Sequence, residues 1–191
     1  MILEKAINNA SMILRKNNIK TAQLDSEILM SLIMKKSRKS VLLNLDSSLE
    51  DNKLNNFRKL IKLRSAGKPV AYLTGSKNFW KYDFKINNNV LVPRPDTEII
   101  VEEALKAIRN KNKLHILDIG IGSGCILLSI LSEKKNFYGT GIDISKKCID
   151  ICNINIFKLG LANRAKVFKT NIDNFQCGKY DLIVSNPPYI K

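Results

Sequence analysis

Apolar positions in the first third of the chain recur at the spacing of amphipathic helices. One run occupies residues 3–14, a second follows a helix start signal at Thr21, and a third ends near Gly67-Lys68-Pro69. Residues spaced by three and four positions share one face of a helix and can pack together. The pattern therefore predicts a bundle of three helices within residues 1–75. A bundle of this size performs no chemistry by itself, so we interpret it as a docking or lid domain.

The hydrophobic pattern changes twice after this bundle. Residues 76–93 contain FWKYDFKI, the polar stretch Asn87-Asn88-Asn89 and then VLVPR, which predicts a β-hairpin linker that turns at the asparagines. Within residues 94–191, helices alternate with short apolar strands, namely LHILDI, YGTGIDI, AKVFK and YDLIVS. This alternation predicts a parallel sheet with right-handed crossovers. The predicted fold class is α/β, a Rossmann-like sheet preceded by a small all-α domain and a β-hairpin linker.

A glycine-rich loop follows the first of these strands. The dinucleotide pattern GxGxxG fails because Cys125 or Leu127 stands where its third glycine belongs, and the Lys-Ser/Thr ending of a phosphate-binding loop is missing. The remaining pattern, DxGxGxG, resembles motif I of class I methyltransferases. An acidic residue beside glycines suits a ligand with an ammonium and a sulfonium group. We therefore predict S-adenosyl-L-methionine as the cofactor, bound by Asp118, Gly120, Ile121, Gly122, Ser123 and Gly124.

The ends of the next two strands supply further candidates for cofactor binding. Asp143 ends the second strand, about twenty residues after the glycines, where a carboxylate can accept hydrogen bonds from both ribose hydroxyls. The alternative is a helix N-cap, because Ser145 begins the next helix. In this superfamily an acidic residue at the end of the third strand accepts from the adenine amino group. Asn171 is the nearest match here, and Asp173 follows two residues later. Which of the two contacts adenine stays open.

The fourth strand ends in the tetrapeptide Asn186-Pro187-Pro188-Tyr189. It resembles motif IV, (N/D)PPY, of methyltransferases that modify planar nitrogens in nucleobases and glutamine amides. Such nitrogens are poor nucleophiles because their lone pair is delocalised. The Asn186 side-chain carbonyl and the Pro187 backbone carbonyl can hold the two N–H bonds and orient the lone pair. We predict that Asn186, Pro187 and Tyr189 are catalytic, that Pro188 also contacts the substrate, and that Asn186 also borders the cofactor.

Composition adds limits to this hypothesis. The formal net charge is +15, but the basic residues are scattered and not interleaved with aromatics, so we do not expect specific nucleic-acid binding. The four cysteines form no CxxC pair and the only histidine, His115, lies in an apolar strand, so no metal site is expected. No apolar run reaches the roughly 18 residues that span a bilayer. We expect a cytoplasmic protein with reduced thiols and no membrane contact.

Two further segments carry a family resemblance. Gly67-Lys68-Pro69-Val70-Ala71-Tyr72 and Pro93-Arg94-Pro95-Asp96-Thr97-Glu98, together with the helical domain, resemble the peptide-chain-release-factor glutamine methyltransferases. The resemblance implies methyl transfer to the glutamine of the Gly-Gly-Gln motif in release factors, with residues 1–75 docking that partner.

The same family continues well beyond its NPPY motif. The resemblance therefore implies that residues 94–191 are the front part of a catalytic domain, in a fragment or a longer product. Two alternatives stay open: an amino-group methyltransferase acting on DNA or RNA, and an inactive truncated remnant.

Overall fold

The computed structural model describes residues 1–176 and 178–187. The chain divides into two compact units, Met1–Thr74 and Gly75–Lys191. The first unit contains the predicted helical bundle. The second contains the hairpin and the parallel sheet.

The first unit is built from helices, with one isolated antiparallel β-bridge between Ile2 and Ser48. The helices are α1 (Leu3–Lys16), α2 (Ala22–Met34), α3 (Arg38–Leu42), α4 (Asp51–Ser65) and α5 (Val70–Thr74). The three long helices match the three predicted runs, whereas the periodicity missed α3 and α5 because each has five residues, barely more than one turn. Their buried faces enclose one hydrophobic core that includes Leu14, Leu29 and Phe57. An ion pair of 2.8 Å between Asp25 and Arg64 joins α2 to α4.

The second unit begins with an antiparallel hairpin of β1 (Ser76–Phe79) and β2 (Tyr82–Lys85). The asparagines do form the predicted turn, in which the Val90 backbone N–H donates to the Asn87 carbonyl at 3.3 Å. Its assignment as the hairpin turn is wrong, because β1 and β2 are joined at Trp80 and Lys81 and the asparagine turn follows β2. Trp80 adopts a positive φ of 56°, which a tryptophan rarely does. Its backbone N–H donates to Glu98 at 2.7 Å and its indole N–H donates to Glu133 at 3.0 Å. These tertiary hydrogen bonds select a turn that local sequence preferences do not indicate.

The parallel sheet confirms the predicted α/β class. Its strands are β3 (His115–Ile119), β4 (Tyr138–Asp143), β5 (Ala165–Lys169) and β6 (Leu182–Ser185), which pair within the described residues in the order β5-β4-β3-β6. α7 (Cys125–Glu133) connects β3 to β4, and α8 (Lys146–Lys158) connects β4 to β5. A further helix, α6 (Glu98–Ala107), precedes β3 and follows a 3-10 turn, Pro95–Thr97.

The strand order fixes where a ligand can bind. Chain connections run outward from β3 through β4 to β5, and β6 then lies on the opposite side of β3. This reversal is the switch point of a Rossmann-like sheet, where the loops after neighbouring strands diverge and leave a crevice at the carboxyl ends. The loops after β3 and β6 are the two that carry the glycine motif and the Asn186 motif.

Among residues 1–176 and 178–187, no helix is long and apolar enough to cross a membrane. The same ranges contain no group of three or more His, Cys, Asp or Glu side chains placed to hold a metal ion.

The described cysteines Cys125, Cys148 and Cys152 are free thiols. Burial raises the pKa of Cys125 to about 12 and that of Cys152 well above its ordinary value, so both stay protonated.

Candidate active site

A cavity of about 420 Å³ opens at the carboxyl ends of the parallel strands. Its walls come from the segment before the 3-10 turn and from the loops after β3, β4, β5 and β6. The lining residues are Leu91, Ile119, Gly120, Gly122, Ile142, Asp143, Ile144, Cys148, Thr170, Asn171, Ile172, Ser185, Asn186 and Pro187. Six sequence-predicted site residues are thus brought to one cavity: Gly120, Gly122, Asp143, Asn171, Asn186 and Pro187.

Gly120 and Gly122 form the backbone wall of this cavity. Both have positive φ, 74° and 55°, a conformation that side chains disfavour. A Cβ added to Gly120 would meet no atom within 4 Å, and one added to Gly122 would meet only the Gly120 carbonyl oxygen, at 3.9 Å. The space in front of the loop is therefore open cavity that a side chain would fill.

The remaining residues of the glycine motif lie behind the loop. Ile121 is buried and packs over β4, where a Cβ on Gly141 would stand 1.9 Å from its Cδ1 atom. Ser123 is buried, and Gly124 sits against Leu128 and Cys152 with no room for a Cβ. These residues shape and anchor the loop, while Gly120 and Gly122 face the cavity.

Asp143 joins the loop after β3 to the loop after β4. Its Oδ2 atom accepts from the Gly122 backbone N–H at 3.0 Å, and its Oδ1 atom accepts from the Ser145 backbone N–H at 2.8 Å. The N-cap of α8 is Ser145, whose hydroxyl accepts from the Cys148 backbone N–H. The alternative of Asp143 as the helix cap is therefore wrong. Each carboxylate oxygen has two lone pairs, so both oxygens can accept one more hydrogen bond from a ligand in the cavity.

Asp118 lies beneath the glycine loop and does not line the cavity. Its side chain is 1% exposed, and its Oδ2 atom has no hydrogen-bond partner among the described residues. The pKa of Asp118 is raised to about 7, mainly by burial and to a smaller extent by the nearby Asp143 carboxylate, against an opposing hydrogen bond from the Leu127 backbone. A cation bound nearby would favour the ionised form of this carboxyl.

Asn171 begins a second 3-10 turn, Ile172–Asn174, after β5. Its Oδ1 atom accepts from the Asp173 backbone N–H at 3.3 Å, and its Nδ2 atom donates to the Asp173 carboxylate at 3.1 Å. Of the two open candidates for the adenine contact, Asn171 lines the cavity and Asp173 is not one of its lining residues. Asp173 instead orients the Asn171 amide.

Asn186 follows β6 and is half-buried, whereas Pro187 is exposed. The Asn186 Nδ2 atom donates to the Thr97 hydroxyl oxygen at 3.2 Å. β6 is held in place by pairing with β3, and the Ser185 hydroxyl donates to the Ile119 carbonyl at 2.8 Å. The predicted site residues Pro188 and Tyr189 lie outside the described residues.

Similarity to known proteins follows the same division of the chain. The family model described as the PrmC N-terminal domain matches residues 5–75, and the model described as the Methyltransferase small domain matches residues 97–191. The release factor glutamine methyltransferase of Buchnera aphidicola subsp. Baizongia pistaciae is 36% identical over 193 residues, covering 100% of this chain and 68% of that protein. The chain belongs to the release factor glutamine methyltransferase family.

Other relatives match over unequal shares of their length. The enzyme of Buchnera aphidicola subsp. Schizaphis graminum is 40% identical, covering 98% of this chain and 66% of that protein. A protein named bifunctional methyltransferase from Rickettsia conorii is 33% identical, covering 98% of this chain and 41% of that protein. The chain thus spans about two-fifths of the Rickettsia protein and about two-thirds of the Buchnera proteins.

In this member of the release factor glutamine methyltransferase family, sequence reasoning missed Asn155. This residue of α8 is fully buried. Its Oδ1 atom accepts from the Lys85 backbone N–H at 2.7 Å, and its Nδ2 atom donates to the carbonyls of Lys85 at 3.0 Å and Ser123 at 2.8 Å. Asn155 therefore ties β2 to the glycine loop. The available signal was an asparagine among the apolar positions of the helix.

The apolar walls of the cavity were also missed. Ile144 and Ile172 follow the second and third strands of the sheet and are 74% and 44% exposed. Leu91, in the segment before the 3-10 turn, is 61% exposed. Exposed apolar side chains grouped around a cavity are typical of a ligand-binding surface. The sequence signal for the two isoleucines was their position, because Ile144 directly follows Asp143 and Ile172 directly follows Asn171.

Proposed function

We propose that this chain binds S-adenosyl-L-methionine in the cavity and directs methyl transfer to the side-chain amide of the Gly-Gly-Gln glutamine in peptide chain release factors. The observation that carries the proposal is the single cavity lined by both Gly120-Gly122 and Asn186-Pro187. The first pair suits a nucleoside cofactor, and the second suits a planar nitrogen. Membership of the release factor glutamine methyltransferase family supports the same assignment.

The cavity suits the cofactor at three places. The exposed side chains of Ile144 and Ile172 offer apolar surface to a flat base. Asp143 retains accepting capacity for ribose hydroxyls while it holds the loop. Gly120 leaves open the space that a Cβ would fill, so a ligand can lie against the backbone.

Charge near the loop favours a cation over a phosphate. Asp118 and Asp143 both lie close to the glycine motif, and they influence each other electrostatically. Two carboxyls repel a polyphosphate but attract an ammonium or a sulfonium group. When bound, the cofactor supplies an electrophilic methyl group on its sulfonium sulfur. This cofactor therefore suits the site better than a nucleoside phosphate does.

The residues after β6 would hold the acceptor nitrogen. Asn186 Oδ1 and the Pro187 carbonyl each accept one N–H of the glutamine amide and turn its lone pair toward the cofactor. Both acceptors also stabilise the positive charge that develops on nitrogen. The nitrogen then releases a proton to water or to Asn186, so a general base such as histidine is not required before transfer. Tyr189, outside the described residues, would pack on the planar amide.

The test uses the longest natural product that contains this sequence. Purified protein is incubated with S-adenosyl-L-methionine labelled in its methyl group and with intact release factor, a short Gly-Gly-Gln peptide, DNA or RNA. We expect label on the release factor glutamine and a far slower reaction of the peptide, because docking through residues 1–75 supplies binding energy that the peptide lacks. Label on DNA or RNA in preference to release factor would contradict the proposal and support an amino-group methyltransferase that acts on nucleic acid. Failure of cofactor to bind would support the inactive remnant.

A matched pair of asparagine substitutions tests the acceptor site. Asn186→Ala should lower kcat by about a hundredfold or more, in line with losing one preorganised polar contact to developing charge. Asn163→Ala is the control, because Asn163 lies in the turn before β5 at the opposite end of the parallel strands. It should leave kcat unchanged. Equal rates for Asn186→Ala and the unsubstituted protein would remove Asn186 from the mechanism.

A further inference from the structure

Thr97 is a buried hydroxyl residue beside the proposed acceptor site. It ends the 3-10 turn Pro95–Thr97 at the start of α6, and the residue is only 9% exposed. Its backbone N–H donates to the Arg94 carbonyl at 3.1 Å, which fixes the turn. Its hydroxyl oxygen lies 3.2 Å from Asn186 Nδ2, although the two residues are 89 positions apart in the chain. The fold therefore brings the segment before α6 against the residue that ends β6.

A carboxamide has two chemically different ends. Its carbonyl oxygen accepts hydrogen bonds, and its NH2 group donates them. The proposed mechanism needs the carbonyl of Asn186 to face the substrate, since the substrate nitrogen also carries N–H bonds. With the amide turned over, two NH2 groups would face each other and neither could accept. Catalysis therefore depends on which end of Asn186 points to the substrate.

The geometry points to Thr97 as the positioning residue that holds the Asn186 amide in its productive orientation, an inference that rests on the proposed function. In the structure the Thr97 hydroxyl oxygen accepts from the NH2 end of Asn186 at 3.2 Å, and in this arrangement the carbonyl end is left for the substrate. Asn186 is half-buried, and its NH2 group would lose water when a substrate covers the site. An unpaired polar group in such a place is costly, and the hydroxyl removes that cost.

Two substitutions of Thr97 separate its hydroxyl from its shape. Thr97→Val keeps the branched shape and removes the hydroxyl, whereas Thr97→Ser keeps the hydroxyl. In the longest natural product that contains this chain, Thr97→Val should lower kcat for release factor about three- to tenfold, the range expected for one neutral hydrogen bond. The Kd for S-adenosyl-L-methionine should not change. Thr97→Ser should stay within about twofold of the unsubstituted kcat, because the same bond is retained.

A second background distinguishes positioning from a general structural effect. In the Asn186→Asp variant both side-chain oxygens accept, so there is no amide orientation left to hold. Adding Thr97→Val to that variant should then change the residual kcat by less than about twofold, since the carboxylate presents an acceptor in either orientation. Equal losses from Thr97→Val with and without the Asn186→Asp substitution would overturn the inference. An unchanged kcat for Thr97→Val alone, with Asn186 intact, would overturn it as well.

A measurement that does not depend on methyl transfer tests this inference separately from the proposed function. Hydrogen exchange of the Asn186 side-chain NH2, followed by NMR, should be faster in Thr97→Val than in the unsubstituted protein and unchanged in Thr97→Ser. If release factor is not methylated but exchange responds in this way, the proposed function fails and the hydrogen bond stands. If release factor is methylated and exchange is the same in all three proteins, the positioning role fails alone.

Discussion

Adding a single methyl group to β4 should disturb the glycine loop without entering the cavity. A Cβ at Gly141 would lie 1.9 Å from Cδ1, 3.0 Å from Cγ1 and 3.1 Å from Cβ of Ile121. Rotation about the outer side-chain bond can move Cδ1, but it leaves Cγ1 and Cβ in place. Because Ile121 is buried and β-branched, its inner torsion is also restricted. The backbone of the loop must therefore shift to accept the extra atom.

The size of the effect follows from known overpacking costs. Gly141→Ala should lower the free energy of unfolding by about 1–3 kcal/mol, the usual range for an added methyl group in a packed interior. Ile121→Ala should cost about 2–4 kcal/mol through the lost side chain and the space it leaves. The double variant should cost less than the sum of the two, by about 1–3 kcal/mol, because removing the Ile121 side chain relieves the clash.

Denaturant unfolding and cofactor titration check this reasoning together. Gly120→Ala is the matched control: a Cβ there meets no atom within 4 Å, but its φ of 74° strains an alanine. It should cost only about 1 kcal/mol of stability and should weaken cofactor binding by filling the cavity. Gly141→Ala should show the larger loss of stability. Strict additivity of Gly141→Ala and Ile121→Ala would refute the proposed contact.

Two further predictions concern buried polar groups. Because burial holds the pKa of Asp118 at about 7, against an ordinary 3.8, the folded chain keeps a proton that the unfolded chain releases. This contribution to stability is present below about pH 4 and is lost as the pH rises through about 7, by up to about 4 kcal/mol in all. Denaturant unfolding across this pH range should show the loss. Asp118→Asn should abolish this pH dependence, and Asp150→Asn, on an exposed face, should leave it unchanged. Asn155→Ala leaves three backbone groups without their partner and should cost about 3 kcal/mol in denaturant unfolding, whereas Asn153→Ala on the same helix should cost under about 0.5 kcal/mol. Equal costs for the two asparagine variants would contradict the role given to Asn155.

The fold class could be predicted because its signals are local and repeated. Each strand of the parallel sheet is a short apolar run, and the helices between the strands match the alternation read from the sequence. The position of the hairpin turn could not be predicted in this way. It depends on Glu98 and Glu133, which contact Trp80 from 18 and 53 residues away in the chain. The asparagine cluster is a strong local turn signal and does form a turn, but that turn follows β2 and is not the one that joins the hairpin strands.

In the candidate site, too, features with local signals could be predicted and features that depend on long-range contacts could not. Motifs at strand ends could be found because parallel strands bring their carboxyl ends to one edge of the sheet, whatever the details of packing. The contacts of Asn155 and Thr97 with those motifs could not be predicted, because they join residues that are far apart in the chain. Asp118 shows a third case. Its place in the motif was recognised, but its burial beneath the loop was not, since the sequence does not say which side of a loop a side chain takes.

The polar contacts around the cavity join segments that are far apart in the chain. Asp143 holds the Gly122 N–H, Asn155 holds the Ser123 carbonyl, and Thr97 holds the Asn186 amide. Each bond joins two groups of the chain itself, so together these bonds fix the positions of the cavity walls. Preorganised acceptors do not have to be reoriented as charge develops, which is where an amide nitrogen needs most help. Residues that make these bonds should therefore affect stability and turnover together. Side chains placed at Gly120 or changed at Ile144 face the cavity and should affect ligand affinity much more than stability.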